Sequence, residues 1–174
     1  MNNFNSILIA NRGEIACRVI RTAKKLGYRT VAVYSDADAG APHVHLADDA
    51  VRIGPGPVGE SYLVPELILQ AAASSGAESI HPGYGFLSEN AAFAEAVESA
   101  GLVFIGPTRE AIDVMGNKAE SKRCMIEAGV PCVPGYEGLD QSDEVLLAEG
   151  NKIDLPLMVK AAAGGGGRGM RLVH

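Results

Sequence analysis

The sequence predicts an α/β fold, an open and doubly wound parallel sheet, across residues 1 to about 115. Short apolar runs typical of buried strands alternate there with segments whose apolar residues recur at helical spacing. The connections are short, and this alternation implies parallel strands joined by helical crossovers. A hydrophobic content of 47% with 21% charged residues is ordinary for a globular protein, so the chain can bury a sizeable core.

The predicted elements follow one another in regular order. Strands are predicted at residues 6–10, 30–35, 50–53, 78–82 and 102–107, and helices at residues 16–26, 64–75 and 88–101. Gly27 and Gly76 stop the first two helices, because glycine commonly follows a helix C-terminus. Either Ser88 or Asn90 is expected to cap the third helix, since both side chains accept hydrogen bonds from free N–H groups there.

After Gly116 the pattern changes. The sequence predicts a helix at 117–129, a Pro/Gly connector at 130–138 and a short helix at 142–150. Two strands, within 155–161 and 170–174, flank four consecutive glycines and suggest a hairpin. Two helices and a hairpin bury too little apolar surface to stand alone. Residues 116–174 are therefore expected to begin a second domain.

Composition excludes several classes of function. The net charge of -6, from 21 acidic and 15 basic residues, argues against a general nucleic-acid binder. No apolar run approaches the ~20 residues that span a bilayer, and the N-terminus is not typical of a secretory signal. Cysteines number three, without metal-type spacing. They predict reduced thiols in a cytoplasmic protein, two of them packed as small hydrophobes.

The sequence does not fit either common nucleotide motif. A dinucleotide site needs G-x-G-x-x-G at the first strand-to-helix turn, but this turn reads "ANRGEIA" and places Glu14 in the first turn of the helix. A Walker P-loop needs its lysine after the glycines and before a helix, whereas "GGGGRGM" runs into a strand. Ligands of doubly wound sheets bind beyond the carboxyl ends of the strands. Here those ends are "NRGE", "SDAD", "HPGYGFLSEN" and "GPT".

The glycine run at 164–167 predicts a flap over phosphates. Without side chains, successive N–H groups can turn toward anionic oxygens. Lys160 lies in the strand that enters this flap, and Arg168 follows it. A single lysine in a strand is more often a plain surface residue. Beside four glycines and an arginine, a phosphate-binding role becomes the better interpretation.

Nearly all of the chain resembles the N-terminal part of biotin carboxylases, members of the ATP-grasp superfamily. The resemblance is carried by "ILIANRGEIACRVIRTAKKLG", "AVYSDAD", "HPGYGFLSEN", "FIGP", "MGNK", "AGVPCVPG" and "VKAAAGGGGRGMRLV", in the family's order. It implies that residues 1–115 form a Rossmann-like domain preceding the ATP-grasp domain. Residues 116–174 would be the truncated beginning of that ATP-grasp domain, with a glycine-rich lid.

The resemblance also implies an activity. In such enzymes ATP activates bicarbonate as carboxyphosphate, and the carboxyl group passes to N1 of carrier-bound biotin. The chain looks most like the biotin-carboxylase subunit of an acyl-CoA carboxylase, of methylcrotonyl- or geranyl-CoA type. Expected partners are a biotin carboxyl carrier domain, a carboxyltransferase subunit and a second copy, but neither nucleic acid nor a membrane. The family's Mg²⁺ ligands lie beyond residue 174, so this fragment alone is expected to be inactive.

Site residues follow from the matching motifs. Lys118 and Lys160 would contact ATP phosphates, and Glu89 would line the active site. The lid would consist of Gly164, Gly165, Gly166, Gly167, Arg168 and Gly169, with Met170 near the adenine or ribose. His81 is expected to be structural.

Two further groups of residues have a plainer role. The carboxylates of Asp36 and Asp38 are expected to be solvated in a loop and to bind no metal. Arg18 and Arg21 would lie near a homodimer contact, although Lys25 replaces an acidic residue of some relatives.

Two alternatives remain open from the sequence. One is another ATP-grasp enzyme, such as a carbamoyl-phosphate or purine-pathway carboxylating ligase, which shares the architecture. The other is a non-catalytic module in which the α/β domain serves only dimerisation.

Overall fold

The computed structural model describes residues 4–153, 155–161 and 169–174. The chain divides into two compact units, one ending at Ile112 and the other running from Asp113 to His174. This division lies near residue 115, where the sequence pattern changes from alternating strands and helices to the Pro/Gly-rich second part.

The first unit contains a five-stranded sheet in which every pair of neighbours is parallel. Its strands are β1 (Ser6–Ile9), β2 (Arg29–Ser35), β3 (Asp49–Gly54), β4 (Ser79–His81) and β5 (Val103–Phe104). Their order is β3-β2-β1-β4-β5, so the chain builds outward from β1 in one direction and then in the other. The predicted open, doubly wound sheet is confirmed. β5 is shorter than predicted, because Pro107 has no N–H to continue the ladder.

Helices cover both faces of this sheet. They are α1 (Gly13–Lys25), α2 (Pro42–Leu46), α3 (Pro65–Ser75), α4 (Ala91–Ser99) and α5 (Arg109–Gly116), the last of which continues into the second unit. Asn90, rather than Ser88, caps α4, since its Oδ1 accepts a 3.0 Å hydrogen bond from the N–H of Phe93. α3 ends at Gly76, whose φ of +63° is the left-handed conformation that favours glycine.

Two apolar clusters form the core, one on each face of the sheet. Alternation along β1 sends Ile7 and Ile9 to the cluster under α1, and Leu8 to the larger cluster under α3 and α4. Leu8 and Ile9 are both fully buried. Burial on both faces explains why the strands read as continuous apolar runs, as parallel strands commonly do.

The second unit contains two further helices and a hairpin. These elements are α6 (Lys118–Glu127), α7 (Asp143–Gly150), β6 (Leu157–Val159) and β7 (Arg171–Val173). β6 and β7 pair antiparallel, with Leu157 opposite Val173, so the predicted hairpin is confirmed. None of the described residues after Ile112 is buried.

The cysteines only partly match the prediction. All three are free thiols, but only Cys17 is buried, while Cys132 is half-buried and Cys124 is exposed. The expectation that two of them pack as small hydrophobes is therefore wrong. Cys17 is one of the buried residues of α1, whereas α6, which carries Cys124, buries no side chain. Among the described residues, no helix is long and apolar enough to cross a membrane.

Candidate functional site

One group of candidate site residues lies in the first unit, where the strand order reverses. β1 and β4 are neighbours, although the chain visits β2 and β3 between them. Doubly wound sheets bind ligands beyond the carboxyl ends of strands at such a reversal. Asn11 and Arg12 lie just after the end of β1, and residues 82–90 follow the end of β4. We refer to residues 82–90 as the 82–90 loop.

Asn11 connects these two strand ends. It is 2% exposed, and its Nδ2 donates hydrogen bonds to the carbonyl oxygens of Pro82 (3.0 Å) and Tyr84 (2.9 Å). Its Oδ1 accepts a bond from the N–H of Arg12 at 2.9 Å. The β1–β4 ladder has its last backbone bond between Ala10 N–H and the carbonyl oxygen of His81. The Asn11 side chain therefore continues the pairing after the backbones separate.

Gly83 fits against this amide only because it has no side chain. A Cβ atom at Gly83 would lie 2.6 Å from Nδ2 of Asn11, and the φ of Gly83 is +70°. Both the available space and the backbone conformation therefore require glycine at this position. The N–H of Gly83 donates a 3.0 Å bond to Nδ1 of His81, so the residue is held from both sides.

Arg12 contacts the next part of the same loop. Its guanidinium lies 5.5 Å from the ring centroid of Tyr62 and 5.7 Å from that of Phe86. The two rings stack with their centroids 5.2 Å apart. Phe86 has a φ of +46°, which is rare for a bulky residue and is kept only where surrounding contacts determine it. The stack and the cation–π contacts supply such determination.

A carboxylate fixes the position of this arginine. Oδ2 of Asp38 lies 3.3 Å from Nη1 of Arg12 and accepts hydrogen bonds from Tyr62 (2.8 Å) and Ser35 (2.9 Å). Burial raises the pKa of Asp38, but the bonds from Tyr62, Ser35 and Arg12 outweigh burial, so its pKa is lowered overall. Burial, together with the bond to Asp38, raises the pKa of Tyr62 to about 12. At neutral pH the cluster therefore holds an ionised Asp38 and a neutral Tyr62.

Asp36 lies outside this cluster. It forms a two-bond ion pair with Arg52, at 2.6 Å and 2.7 Å, on an exposed surface. The two carboxylates of "SDAD" thus face different arginines. No group of three or more His, Cys, Asp or Glu side chains able to hold a metal ion occurs in the described part of the chain. The described residues therefore do not fit a Mg²⁺ site.

The two titratable residues predicted in the 82–90 segment differ in environment. His81 is half-buried, and burial lowers its pKa, which keeps Nδ1 available to accept the bond from Gly83. Glu89 is exposed. Between them Tyr84, whose carbonyl is held by Asn11, remains 60% exposed. The loop thus presents Tyr84 and Glu89 to solvent while its backbone is fixed.

A separate group of candidate residues lies in the second unit. Asn117 caps α6, because its Oδ1 accepts bonds from the N–H groups of Ala119 (3.1 Å) and Glu120 (3.2 Å). Lys118 is therefore the first residue of a capped helix, and its side chain is exposed. The "MGNK" motif is the turn that places it there.

Lys160 and Met170 occupy matching positions on the hairpin. Lys160 follows Val159, whose register partner Arg171 follows Met170. Lys160 is exposed, and a Cβ at Gly169 would lie 3.5 Å from that of Ala161, so the two strand ends are close together. The predicted lid residues Gly164, Gly165, Gly166, Gly167 and Arg168 lie outside the described residues.

Sequence reasoning overlooked the residues that organise the loop. "NRGE" was expected to be a strand end, but no role followed for Asn11, Arg12 or Tyr62. Two consecutive polar residues immediately after a buried strand were the available sign. Their partners in the 82–90 loop lie about seventy positions away, so only the fold reveals these contacts.

A doubly wound α/β unit and a second unit with two helices and a hairpin match the architecture that the resemblance implied for the N-terminal part of an ATP-grasp enzyme. Comparison with known proteins makes this specific. The family model described as "Biotin carboxylase, N-terminal domain" matches residues 3–112, and "Carbamoyl-phosphate synthase L chain, ATP binding domain" matches residues 117–174. The chain belongs to the biotin carboxylase family.

Relatives match along almost the whole chain. The alpha subunit of mitochondrial methylcrotonoyl-CoA carboxylase from Oryza sativa subsp. japonica is 60% identical over 97% of this chain. The propionyl-CoA carboxylase alpha chain of Ruegeria pomeroyi is 56% identical, and the biotin carboxylase of Pseudomonas aeruginosa is 53% identical. This chain spans 23% of the rice protein, 25% of the Ruegeria protein and 38% of the Pseudomonas protein.

Solved structures agree. The biotin carboxylase of Campylobacter jejuni, described as a complex with β,γ-ATP, has a TM-score of 0.93 at 46% identity over 98% of this chain and 38% of its own. The biotin carboxylase domain dimer of Hydrogenobacter thermophilus 2-oxoglutarate carboxylase, in complex with MgADP, ADP and bicarbonate, has a TM-score of 0.92 at 49% identity. This match covers 99% of this chain and 38% of the Hydrogenobacter chain.

Proposed function

We propose that this chain supplies the N-terminal α/β domain and the start of the ATP-grasp domain of a biotin carboxylase acting in an acyl-CoA carboxylase. The complete site would use ATP and bicarbonate to carboxylate carrier-bound biotin. The observation that carries this proposal is the similarity to carboxylase alpha chains over 97% of the chain at up to 60% identity. We propose the methylcrotonyl-CoA type, with the geranyl-CoA type as the alternative.

The nucleotide-binding residues would come from the second unit. Lys118, at the start of α6, and Lys160, directly after β6, would contact ATP phosphates as point charges with three donors each. Gly164 to Gly167, Arg168 and Gly169 would form the lid, with Met170 near the adenine or ribose. Phosphoryl transfer depends mainly on position and charge neutralisation, which lysines and backbone N–H groups supply. Mg²⁺ would be held by residues outside this chain.

The 82–90 loop would form an active-site wall, with Glu89 as its exposed acid. The loop is rigid where Asn11 and Arg12 contact it and exposed where Tyr84 and Glu89 stand. Such a combination suits a surface that meets a substrate. His81 would be structural, because its Nδ1 is occupied by the N–H of Gly83.

A chimera tests the function directly. Residues 1–174 would replace the matching part of Pseudomonas aeruginosa biotin carboxylase, whose remaining chain supplies the rest of the site. We expect bicarbonate-dependent release of ADP that free biotin stimulates, and no such release from the 174 residues alone. A folded chimera without biotin-stimulated turnover would contradict the proposal. Turnover with bicarbonate that ignores biotin would favour a different ATP-grasp ligase.

Substitution of Lys160 tests its assigned role in that chimera. Lys160→Gln removes the charge and should raise the KM for ATP at least about tenfold, since a charge-assisted contact contributes roughly 1.5–3 kcal/mol. The matched control is Lys152→Gln, an exposed lysine of the same unit that pairs with Glu149. Equal KM values for ATP in the two variants would show that Lys160 does not contact the ATP phosphates.

We further propose that the complete protein works with a biotin carboxyl carrier domain and a carboxyltransferase subunit, as a homodimer in contact through α1. Arg18, Arg21 and Lys25 are exposed on that helix. Charge reversal by Arg21→Glu should lower the dimer fraction of the chimera in sedimentation, with no change in melting temperature. An unchanged dimer fraction would show that α1 does not form the dimer contact. If the chimera also turns over substrate, the alternative of a non-catalytic module that serves only dimerisation would be excluded as well. The three free thiols support the cytoplasmic location, which stays a proposal.

A further inference from the structure

We propose that Asn11 and Arg12 are positioning residues that preset the 82–90 loop for the carboxylation substrates. This inference rests on the proposed function. It concerns two residues that are not among those expected to bind the nucleotide. We refer to Asn11 and Arg12 together as the Asn–Arg clamp. The clamp contacts the loop at two successive places, first the backbone around Gly83 and then the ring of Phe86.

The hydrogen bonds of Asn11 account for its residue type. A buried side chain must deliver two N–H donors to carbonyl oxygens two residues apart, and must also accept one bond. An asparagine amide has two donors and an acceptor on a short stem. Aspartate offers no donor when ionised, and serine offers one. Glutamine is one methylene longer, and Gly83 already lies against the amide with no space between them.

The loop needs such support because its backbone is unusual. Gly83, Gly85 and Phe86 all have positive φ values, +70°, +66° and +46°. Left alone, a segment with two glycines would sample many conformations, and ordering it on substrate binding would weaken affinity. Because the clamp already orders the loop in the folded protein, substrate binding does not have to supply the free energy of ordering it. Tyr84 and Glu89 are therefore presented in one arrangement before any ligand arrives.

The far end of the loop has a separate anchor. Leu87 is 4% exposed in the large core cluster, and Asn90 caps α4 through Phe93. These contacts fix the return of the chain into the helix. Among the described residues, the side chains that form hydrogen bonds with the backbone between Pro82 and Tyr84 are those of Asn11 and His81. The two asparagines, Asn11 and Asn90, thus hold opposite ends of one loop.

Hydrogen exchange in the 174-residue protein tests the clamp. Asn11→Asp and Asn11→Ser should speed amide exchange in the peptide covering residues 83–86 by about tenfold or more, the ratio that corresponds to 1.4 kcal/mol. Amides of β2 should keep their protection. The matched control, Asn90→Ala, should speed exchange at the start of α4 and leave residues 83–86 unchanged.

A kinetic measurement separates positioning from mere stability. In the chimera, Asn11→Ser should lower kcat/KM for bicarbonate or for free biotin about tenfold, while the KM for ATP stays within about twofold of the parent value. Equal losses for all three substrates, unchanged exchange at residues 83–86, or equal loss of protection throughout the sheet would each overturn the inference. An inactive parent chimera would contradict the proposed function instead, and the exchange result would then decide the clamp.

Discussion

The two units of this chain differ sharply in how they bury apolar side chains. The first contains two clusters on the faces of one sheet, with residues such as Leu8, Ile20 and Ile80 fully buried. None of the described residues after Ile112 is buried, and leucines such as Leu147 and Leu172 are 69% and 53% exposed. The first unit therefore closes its own core. In the second unit, the described residues form regular elements and a paired hairpin, but none of their apolar side chains is buried.

The comparison shows that local pattern and burial are separate properties. α6 has a well-formed cap, and the hairpin has clear register, yet neither contributes a buried residue. Most helical stability in proteins comes from packing of one face rather than from propensity. We therefore expect the stability of the chain to be concentrated before residue 113, and two pairs of variants, each with one member in each unit, test this expectation.

The largest effect is expected from one leucine in each unit. Leu8→Ala removes a fully buried strand residue and should lower the free energy of unfolding by about 3–5 kcal/mol. Leu172→Ala removes a strand leucine that is 53% exposed and should cost less than about 1 kcal/mol. Denaturant titration followed by circular dichroism measures both. Similar costs would mean that the second unit shares a packed core.

A smaller effect is expected from two glycines with similar backbone angles. Gly83 and Gly169 have φ values of +70° and +74°, so alanine is strained at either position by about 1–2 kcal/mol. At Gly83 the new Cβ would also overlap Asn11 at 2.6 Å, whereas at Gly169 its nearest neighbour lies at an ordinary 3.5 Å. Thermal unfolding should show that Gly83→Ala costs more, about 3 kcal/mol in all. Equal losses of stability in the two variants would show that the Asn11 side chain moves aside without a measurable cost in free energy.

The smallest effect concerns acid sensitivity. His43 is fully buried, with Nε2 3.2 Å from the carbonyl oxygen of Val33 and with Nδ1 buried without a hydrogen-bond partner in the described part of the chain. Burial lowers the pKa of His43, an effect that the bond to Val33 only partly offsets. In the unfolded chain this histidine has its ordinary pKa of 6.5, so below that pH the unfolded chain binds more protons than the folded protein does. The free energy of unfolding therefore decreases as the pH falls below 6.5. The loss is at most about 1.4 kcal/mol per pH unit.

Replacing His43 should remove this dependence. His43→Gln should flatten the curve of unfolding free energy between pH 6.5 and 5, leaving the part that His81 contributes, whose pKa burial also lowers. His45→Gln is the matched control, since His45 is exposed on the same helix. A curve for the His43 variant as steep as that of the control would contradict this account.

Most of the first unit could be predicted from sequence because its strands are apolar on both faces. β1 to β4 and α1, α3 and α4 all lie within a few residues of the predicted positions. α5 was missed because it is eight residues long and buries only Ile112. Thr108 gives a start signal that could have revealed it, since its Oγ1 accepts a 3.3 Å bond from the N–H of Ala111.

The candidate site was less predictable than the fold. Residues named by motif, such as Lys118, Lys160 and Glu89, are exposed side chains whose role depends on a ligand. Asn11 and Arg12 act through contacts with Pro82, Tyr84 and Phe86, and no local pattern links segments so distant along the chain. Periodicity reports which face of an element is buried, whereas a hydrogen bond between two loops depends on the strand order of the folded sheet.

The fit between Asn11 and Gly83 restricts how the sequence can diverge. A smaller residue at position 11 would make room for a methyl group at position 83, but it would leave two carbonyl oxygens without their donors and would not relieve the positive φ. A change at position 83 alone meets the amide directly. Neither order of single substitutions is neutral, so the two positions should be inherited as one unit through any lineage that keeps this loop.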